Sequence, residues 1–268
     1  MLYLVATPIG NLQDFSFRAV EVLRNCEYVL CEDTRHSGIL LKHYEISVPT
    51  RSFHKFNEAA REKELIEDLL SGKDIALISD AGTPGICDPG ERLVALCREK
   101  SIEVQSIPGA CAFLQALTSS GLNCSSFQFL GFVPKKKAER RKFLFRALFY
   151  DGSTVSYESP HRIKDTLSDL AALSPNTRVA ISRELTKKFE EQQLASAEDL
   201  AKNWEEREPR GEFVLMIEGN PQNLWNDVSP QEQIAEYEKL LDISHKDAIR
   251  LVADLRGLSR RELYKEGL

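Results

Sequence analysis

Residues 76–90 read ALISDAGTPGICDPG, a short apolar run that breaks into a loop holding Gly82, Gly85 and Gly90 together with Pro84 and Pro89. Upstream, GKD at 72–74 is a turn, and IALIS (75–79) is rich enough in branched residues for a buried strand. Downstream, DPGE at 88–91 has the form of a helix start, and LVALCREK carries the helical period. The loop therefore hangs from the carboxyl end of a strand, where open α/β sheets place their ligand crevices. Its pattern is neither GxGxxG nor GxxxxGK[ST], and it holds no lysine to meet a phosphate. A phosphate-dominated ligand is disfavoured.

Two more strand ends carry loops of this kind. VATPIGN (5–11) follows the first apolar run and IPGAC (107–111) follows EVQSI. Each combines a proline that fixes direction with a glycine that permits close backbone approach. Carboxyl ends of parallel strands share one edge, so three loops far apart in sequence are expected to converge on one crevice. Asp80 is the one carboxylate at an immediate strand end among them, and none of the loops holds a lysine or arginine. That donor set suits a neutral or cationic nucleoside held mostly by backbone.

Outward from these loops, residues 1–119 alternate strand and helix. Apolar runs at 2–6, 28–31, 75–79 and 103–107 are interleaved with helical patterns near 15–25, 34–43 and 58–70, after 88–91, and from about 110; between the second and third of these helices lies a polar segment. The order is that of an α/β domain with a largely parallel sheet. SSGLN (119–123) is a linker candidate. Residues 120–220 start a second series: FQFLGF, a basic helix, STVSY, a helix after Pro160, RVAIS, a strand near 190–194, a helix through Trp204, and FVLMIEG. This second α/β domain is expected to hold a mixed sheet.

NPQN (220–223) is a second linker, and the tail at 221–268 differs in kind. SPQE, SHKD and SRRE, beginning at Ser229, Ser244 and Ser259, are capping-box-like starts at equal intervals and predict three short helices. Ala253, Gly257 and Leu263 fall where a helix-turn-helix wants a small residue, a turn glycine and a core residue, which would put Arg260, Arg261 and Lys265 on the last helix. A small packing or dimerisation bundle fits the same pattern.

At 268 residues, 42% hydrophobic and 28% charged, the chain has the composition of an ordinary globular protein with room for two domains. MLYLVATPIGNL begins on a strand-like run without a basic leader, and no apolar stretch reaches membrane-spanning length. A cytoplasmic protein with no membrane contact is expected. Cysteines 26, 31, 87, 97, 111 and 124 form no CxxC and sit mostly in apolar runs, so they read as reduced core or loop thiols, not as a metal or disulfide framework.

A net charge of −6 argues against a surface that coats itself on nucleic acid throughout. Locally the balance reverses: PKKKAERRKFLFR (134–146) sets Lys135, Lys136, Lys137, Arg140, Arg141, Lys142 and Arg146 against Glu139 alone. The run follows what reads as a glycine-proline turn at Gly131 and Pro134. Either it is a solvated helix face or it meets an anionic polymer.

LVATPIGNLQDFSFRA, CEDTRHS, SDAGTPGICDPG, IPGACA, FLGFVPKKKAERR, YESPHR, SRELTK and GEFVLMIEG together resemble, in order and spacing, the bacterial small-subunit ribosomal RNA methyltransferase I family of the tetrapyrrole methylase superfamily. GLSRRELYKEGL is similar to that family's C-terminal tail. The resemblance implies a two-domain tetrapyrrole-methylase-like fold that binds S-adenosylmethionine between its domains in a homodimer. It also implies 2′-O-methylation of a cytidine ribose in the decoding region of 16S ribosomal RNA, as free RNA or in the 30S subunit. On this resemblance Pro8 and Gly10 fall on the first cofactor loop, Asp80, Gly82 and Thr83 on the second, and Gly109 and Ala110 on the third. Tyr157 and Glu212 match second-domain positions that close over the cofactor. His36, Cys87 and Ala110-Cys111 depart from the family's usual residues; only His36, where a second arginine is common, bears on a phosphate contact.

Methyl transfer to a hydroxyl is an in-line displacement that needs alignment, a shielded site and a destination for the hydroxyl proton, but no metal. Glu158 in YESPHR is the candidate to accept or orient that proton; its alternative is a structural pairing with Arg162 or a helix cap. Arg35, Arg162, Arg183 and Lys187, with Lys135, Lys136, Arg140 and Arg141, are candidates for phosphates or for ion pairs. His54, Asn57 and Glu58 form a second cluster suited to positioning RNA. Two other functions fit parts of the sequence: C-methylation of a tetrapyrrole, and a non-catalytic RNA-binding module with a vestigial cleft.

Overall fold

The computed structural model describes residues 1–219, 228–256 and 258–266. The chain divides into two compact units, the first made of residues 1–115 with Leu185–Phe189, the second of Ala116–Glu184 with 190–268. The expected linker at 220–223 and the turn residue Gly257 lie outside the described residues.

The first unit runs β1 (Leu2–Val5), α1 (Phe17–Asn25), β2 (Tyr28–Cys31), α2 (Thr34–His43), β3 (Thr50–Ser52), α3 (Glu58–Leu70), β4 (Ile75–Ile78), α4 (Glu91–Glu99) and β5 (Val104–Ile107), and the divide between units falls inside α5 (Ala112–Ser119). Its sheet, ordered β3-β2-β4-β1-β5, is parallel throughout. The two faces of these strands feed two cores, Tyr28 and Leu30 joining Leu65 and Leu93 on one side, Val29 and Cys31 joining Leu23 and Leu41 on the other. Double-sided burial is why β2 and β4 read as continuous apolar runs. The polar segment conceals β3, whose residues Thr50, Arg51 and Ser52 pair only with β2 at the sheet edge. An edge strand buries too little to leave an apolar signature.

The second unit continues with β6 (Phe127–Phe132), α6 (Lys137–Leu148), β7 (Gly152–Glu158), α7 (Ile163–Leu173), β8 (Arg178–Arg183), β9 (Glu191–Ser196), α8 (Ala197–Glu205) and β10 (Phe213–Gly219). Its sheet, ordered β6-β7-β10-β8-β9, is mixed: β6 is parallel to β7 and the remaining pairs are antiparallel. Gly131 is not part of a turn before the basic helix. It lies inside β6 at a φ of 67°, where the register with β7 shifts between Phe129 and Phe132. A bulge there uses the conformational freedom of glycine.

The tail forms the three expected helices, α9 (Pro230–Leu241), α10 (His245–Arg256) and α11 (Arg260–Glu266). Ser229 and Glu232 complete a reciprocal capping box, and the Ser244 hydroxyl accepts from the Asp247 N–H. Ile234, Tyr237, Leu241, Ile249, Val252 and Leu263 bury one another and Phe145 of α6, so the tail is a packed bundle seated on α6. Among the described residues no helix is long and apolar enough to cross a membrane.

Candidate functional site

The three loops predicted at strand ends are knit together. Thr7 and Gly82 exchange backbone hydrogen bonds of 2.8 and 3.1 Å, and the Thr83 hydroxyl donates to the Ala110 carbonyl at 3.2 Å. A Cβ on Gly109 would press on Ala6 at 2.9 Å. Pro8, Gly10, Asp80, Gly82, Thr83, Gly109 and Ala110 thus belong to one rim built from the ends of β1, β4 and β5. The glycines of residues 76–90 serve the loop's own geometry: Gly82, Gly85 and Gly90 have φ values of 85°, 80° and 127°, and a Cβ on Gly90 would collide with Leu77.

Gly10 has a different neighbour. Leu185–Phe189 joins the first unit although it lies far along the chain, and the Thr186 hydroxyl accepts from the Asn11 N–H at 3.0 Å. A Cβ on Gly10 would run into Lys187 and Thr186, so only glycine fits beneath this segment. Lys187 is thereby placed at the first strand-end loop.

The rim is electronegative. Oδ1 of Asp80 accepts a long 3.4 Å bond from the Asp33 N–H, and Oδ2 has no donor among the described residues. Burial pushes the carboxyls of Glu32 and Asp88 up from their ordinary values, and the charge of Asp80 adds to the shift in both, while Lys55 opposes it. Lys55 also donates to the Cys87 carbonyl at 2.7 Å. Neither Glu32, Asp88 nor Lys55 was singled out by sequence; the signal available was their place in CEDTRHS, CDPG and FHKFNE beside the loop residues. Such a field, with backbone donors and acceptors around it, fits a cationic nucleoside better than a phosphate.

In the second unit, Tyr157 near the end of β7 lies against Phe129 and Phe132, with ring centroids 5.1 and 5.3 Å away. Register places Phe213 of β10 between Glu158 and Arg183, with Glu212 just before it. The Glu212 N–H donates to a Glu184 carboxylate oxygen at 3.0 Å. Arg183 pairs with Glu191 at 3.2 Å and donates to the Arg210 carbonyl.

Glu158 does not fit a proton acceptor. Its side chain is fully buried, and both oxygens are committed: Oε1 accepts from the Ser159 N–H at 2.7 Å and from Arg162 at 2.9 Å, and Oε2 from the Thr166 hydroxyl at 2.5 Å. The carboxylate fastens the start of α7 to the end of β7, which also accounts for Arg162. Arg140 and Arg141 depart from the phosphate reading for a related reason. The Arg140 side chain is 6% exposed and bonded to Asp169 at 2.8 Å, with Asp165 at 3.8 Å; Arg141 donates to the other Asp169 oxygen at 3.0 Å. Helix periodicity turns these two toward α7 while Lys135 and Lys136 stay exposed before the first turn of α6, Lys136 loosely paired with Glu139 at 3.3 Å. Arg35 is exposed and forks onto Asp33, whose carboxyl it holds well below the usual range.

Residues 1–201 match the family model described as Tetrapyrrole (Corrin/Porphyrin) Methylases. Ribosomal RNA small subunit methyltransferase I of Halalkalibacterium halodurans is 42% identical over 98% of this chain and 93% of its own length; that of Haemophilus influenzae is 43% identical over 100% and 96%. Among solved structures, a uroporphyrin-III-C-methyltransferase from Thermus thermophilus (TM-score 0.56, 21% identity, 81% of this chain and 93% of that one) and a diphthine synthase (0.61, 15%, 81% and 89%) share the fold. With identity at this level over nearly the whole length and a family model matching residues 1–201, the chain belongs to the ribosomal RNA small subunit methyltransferase I family of tetrapyrrole methylases.

Proposed function

We propose that this chain methylates the ribose 2′-hydroxyl of a cytidine in the decoding region of 16S ribosomal RNA, using S-adenosylmethionine, in the cytoplasm and as a homodimer. The observation that carries the reading is the electronegative, backbone-lined rim at the ends of β1, β4 and β5, in a chain that matches the named relatives over nearly its whole length. When bound, S-adenosylmethionine supplies an electrophilic methyl on a sulfonium. Pro8, Gly10, Gly82, Gly109 and Ala110 offer backbone to it, Thr83 braces the second loop against the third, and Asp80 accepts hydrogen bonds from it. Tyr157 and Glu212 are the second-unit residues assigned to the same ligand. Lys135 and Lys136, with Arg35 and Lys187, are assigned to RNA phosphates. With Glu158 committed elsewhere, acceleration rests on alignment and shielding: the C–S bond breaks to leave the neutral thioether as the O–C bond forms, and the hydroxyl proton passes to a water at the edge of the site. The edge strand β6, with Phe127 and Phe132 exposed, supports the dimer, which sedimentation at working concentration would show or refute.

The test is methyl-labelled S-adenosylmethionine with small subunits that lack the modification. Label is expected in the ribose of the RNA; label in a tetrapyrrole precursor instead would overturn the reading. Asp80→Ala should weaken S-adenosylmethionine binding about 10- to 100-fold, the worth of one or two charge-assisted hydrogen bonds, with no change in melting temperature. Calorimetry giving wild-type affinity in the folded variant would remove Asp80 from the cofactor site.

A further inference from the structure

With Arg140 and Arg141 on Asp169 and Lys136 on Glu139, two cations on the body of α6 are left over. Lys142 and Arg146 are exposed, and no carboxylate among the described residues pairs with them. They alternate with Phe145 and Phe149 along one face of α6, at the i, i+3, i+4, i+7 spacing of a helical stripe. Across from them α10 presents Arg250, Leu251 and Leu255, again one stripe. Between the two helices lies a cavity of about 690 Å³ with a mostly apolar lining to which Tyr150 and Ile243 also contribute.

The rim of this cavity is cationic. Arg250 is exposed without an ion-pair partner among the described residues, like Lys142 and Arg146. Two carboxylates also reach the rim. Asp254 is neutralised by Arg260 at 2.7 Å, and Asp247 accepts the Ser244 hydroxyl at 2.7 Å. Three free cations around an apolar, aromatic-walled space match a ligand that is anionic outside and flat and apolar inside. An unpaired nucleotide has that form: its base stacks on or inserts among aromatic and aliphatic side chains while the flanking phosphates meet the cations. The cavity also lies within the size range of small-molecule sites.

We propose that the cavity between α6 and α10 captures one unpaired nucleotide of the RNA substrate, the base against Phe149, Leu251 and Leu255 and the adjoining phosphates on Lys142, Arg146 and Arg250. The inference rests on the ribosomal RNA reading above and adds to it a docking site made jointly by the basic helix and the tail. It also gives the tail bundle a role that requires no helix-turn-helix: the tail supplies one wall of the site.

Deproteinised, unmethylated small-subunit ribosomal RNA is the probe, titrated between 50 and 200 mM salt. For Arg146→Gln/Arg250→Gln the logarithmic salt slope is expected to flatten by about 1.4, two single-strand phosphate contacts at roughly 0.7 each. Leu251→Trp fills the space without changing charge and should weaken binding about 5- to 150-fold at an unchanged slope, the worth of one stacked base. S-adenosylmethionine affinity and melting temperature should stay at wild-type values in both. If both variants bind RNA as the wild type does, the cavity is not a nucleotide site and the inference falls while the function stands. If Leu251→Trp impairs binding to intact small subunits but not to naked RNA, the occupant is a protein, and the inference is overturned. A wild-type chain that binds no ribosomal RNA overturns the functional reading, and this one falls with it.

Discussion

Asp169→Ala is expected to destabilise the second unit by about 3–5 kcal/mol, a large share of the stability of an ordinary domain. The carboxylate is 7% exposed and holds two guanidinium groups, that of Arg140 itself buried between α6 and α7. Without it Arg140 keeps only Asp165 at 3.8 Å, and a buried charge with so distant a partner costs far more than the intact pair contributes. The control is Arg140→Met with Asp169→Leu, which replaces the pair by apolar groups of similar volume and should come close to wild type. Denaturant unfolding distinguishes the two. A single variant within 1 kcal/mol of wild type would show that water reaches Arg140 and that the residue is available to RNA after all.

Glu158→Gln is the second large effect, and it separates stability from chemistry. The amide is isosteric but uncharged, and its NH2 group meets donors where the carboxylate met only hydrogen bonds it could accept. With its oxygen toward Ser159 N–H and Arg162 the amide keeps those two bonds but loses the charge that made them strong, and its NH2 can only donate to the Thr166 hydroxyl, which must turn from donor to acceptor. We expect a loss of about 2–4 kcal/mol in stability, with single-turnover methylation by the folded fraction within a few-fold of wild type. A general base would behave in the opposite way, losing about 10²–10⁴ in rate with its fold intact. Melting temperature and single-turnover rate, measured on the same preparation, decide between the two outcomes.

Both variants concern residues whose type was visible in the sequence and whose partners were not. Period and punctuation locate α2 at Thr34–His43 and α3 at Glu58–Leu70, and the serine caps locate the tail helices, because these signals act between residues a few positions apart. The strand-end loops were legible for the same reason: proline and glycine restrict or free the backbone locally, whatever surrounds them. Their convergence followed from the parallel order of the strands. The edge strand β3 was not legible, since it is held by hydrogen bonds to β2 and by contacts of Arg51 with Tyr28, Glu64 and Asp68, none of which leaves an apolar pattern in the sequence.

By itself, then, the sequence determined the order of elements apart from β3, the parallel and mixed sheets, the three small-residue loops, the acid among them and the family. Tertiary structure decided which charges are free. Arg140, Arg141, Lys142 and Arg146 are equivalent in a run of basic residues, yet Asp169, on another helix, takes the first two out of solvent and leaves the others at the rim of a cavity whose far wall is α10. Glu158 likewise lies beside Arg162 in the sequence, but only the packing of α7 against β7 brings Thr166 onto its second oxygen. A carboxylate or guanidinium has the same intrinsic chemistry everywhere; burial and the partner within 3 Å set whether it binds a ligand or holds the fold, and those partners come from elements distant along the chain.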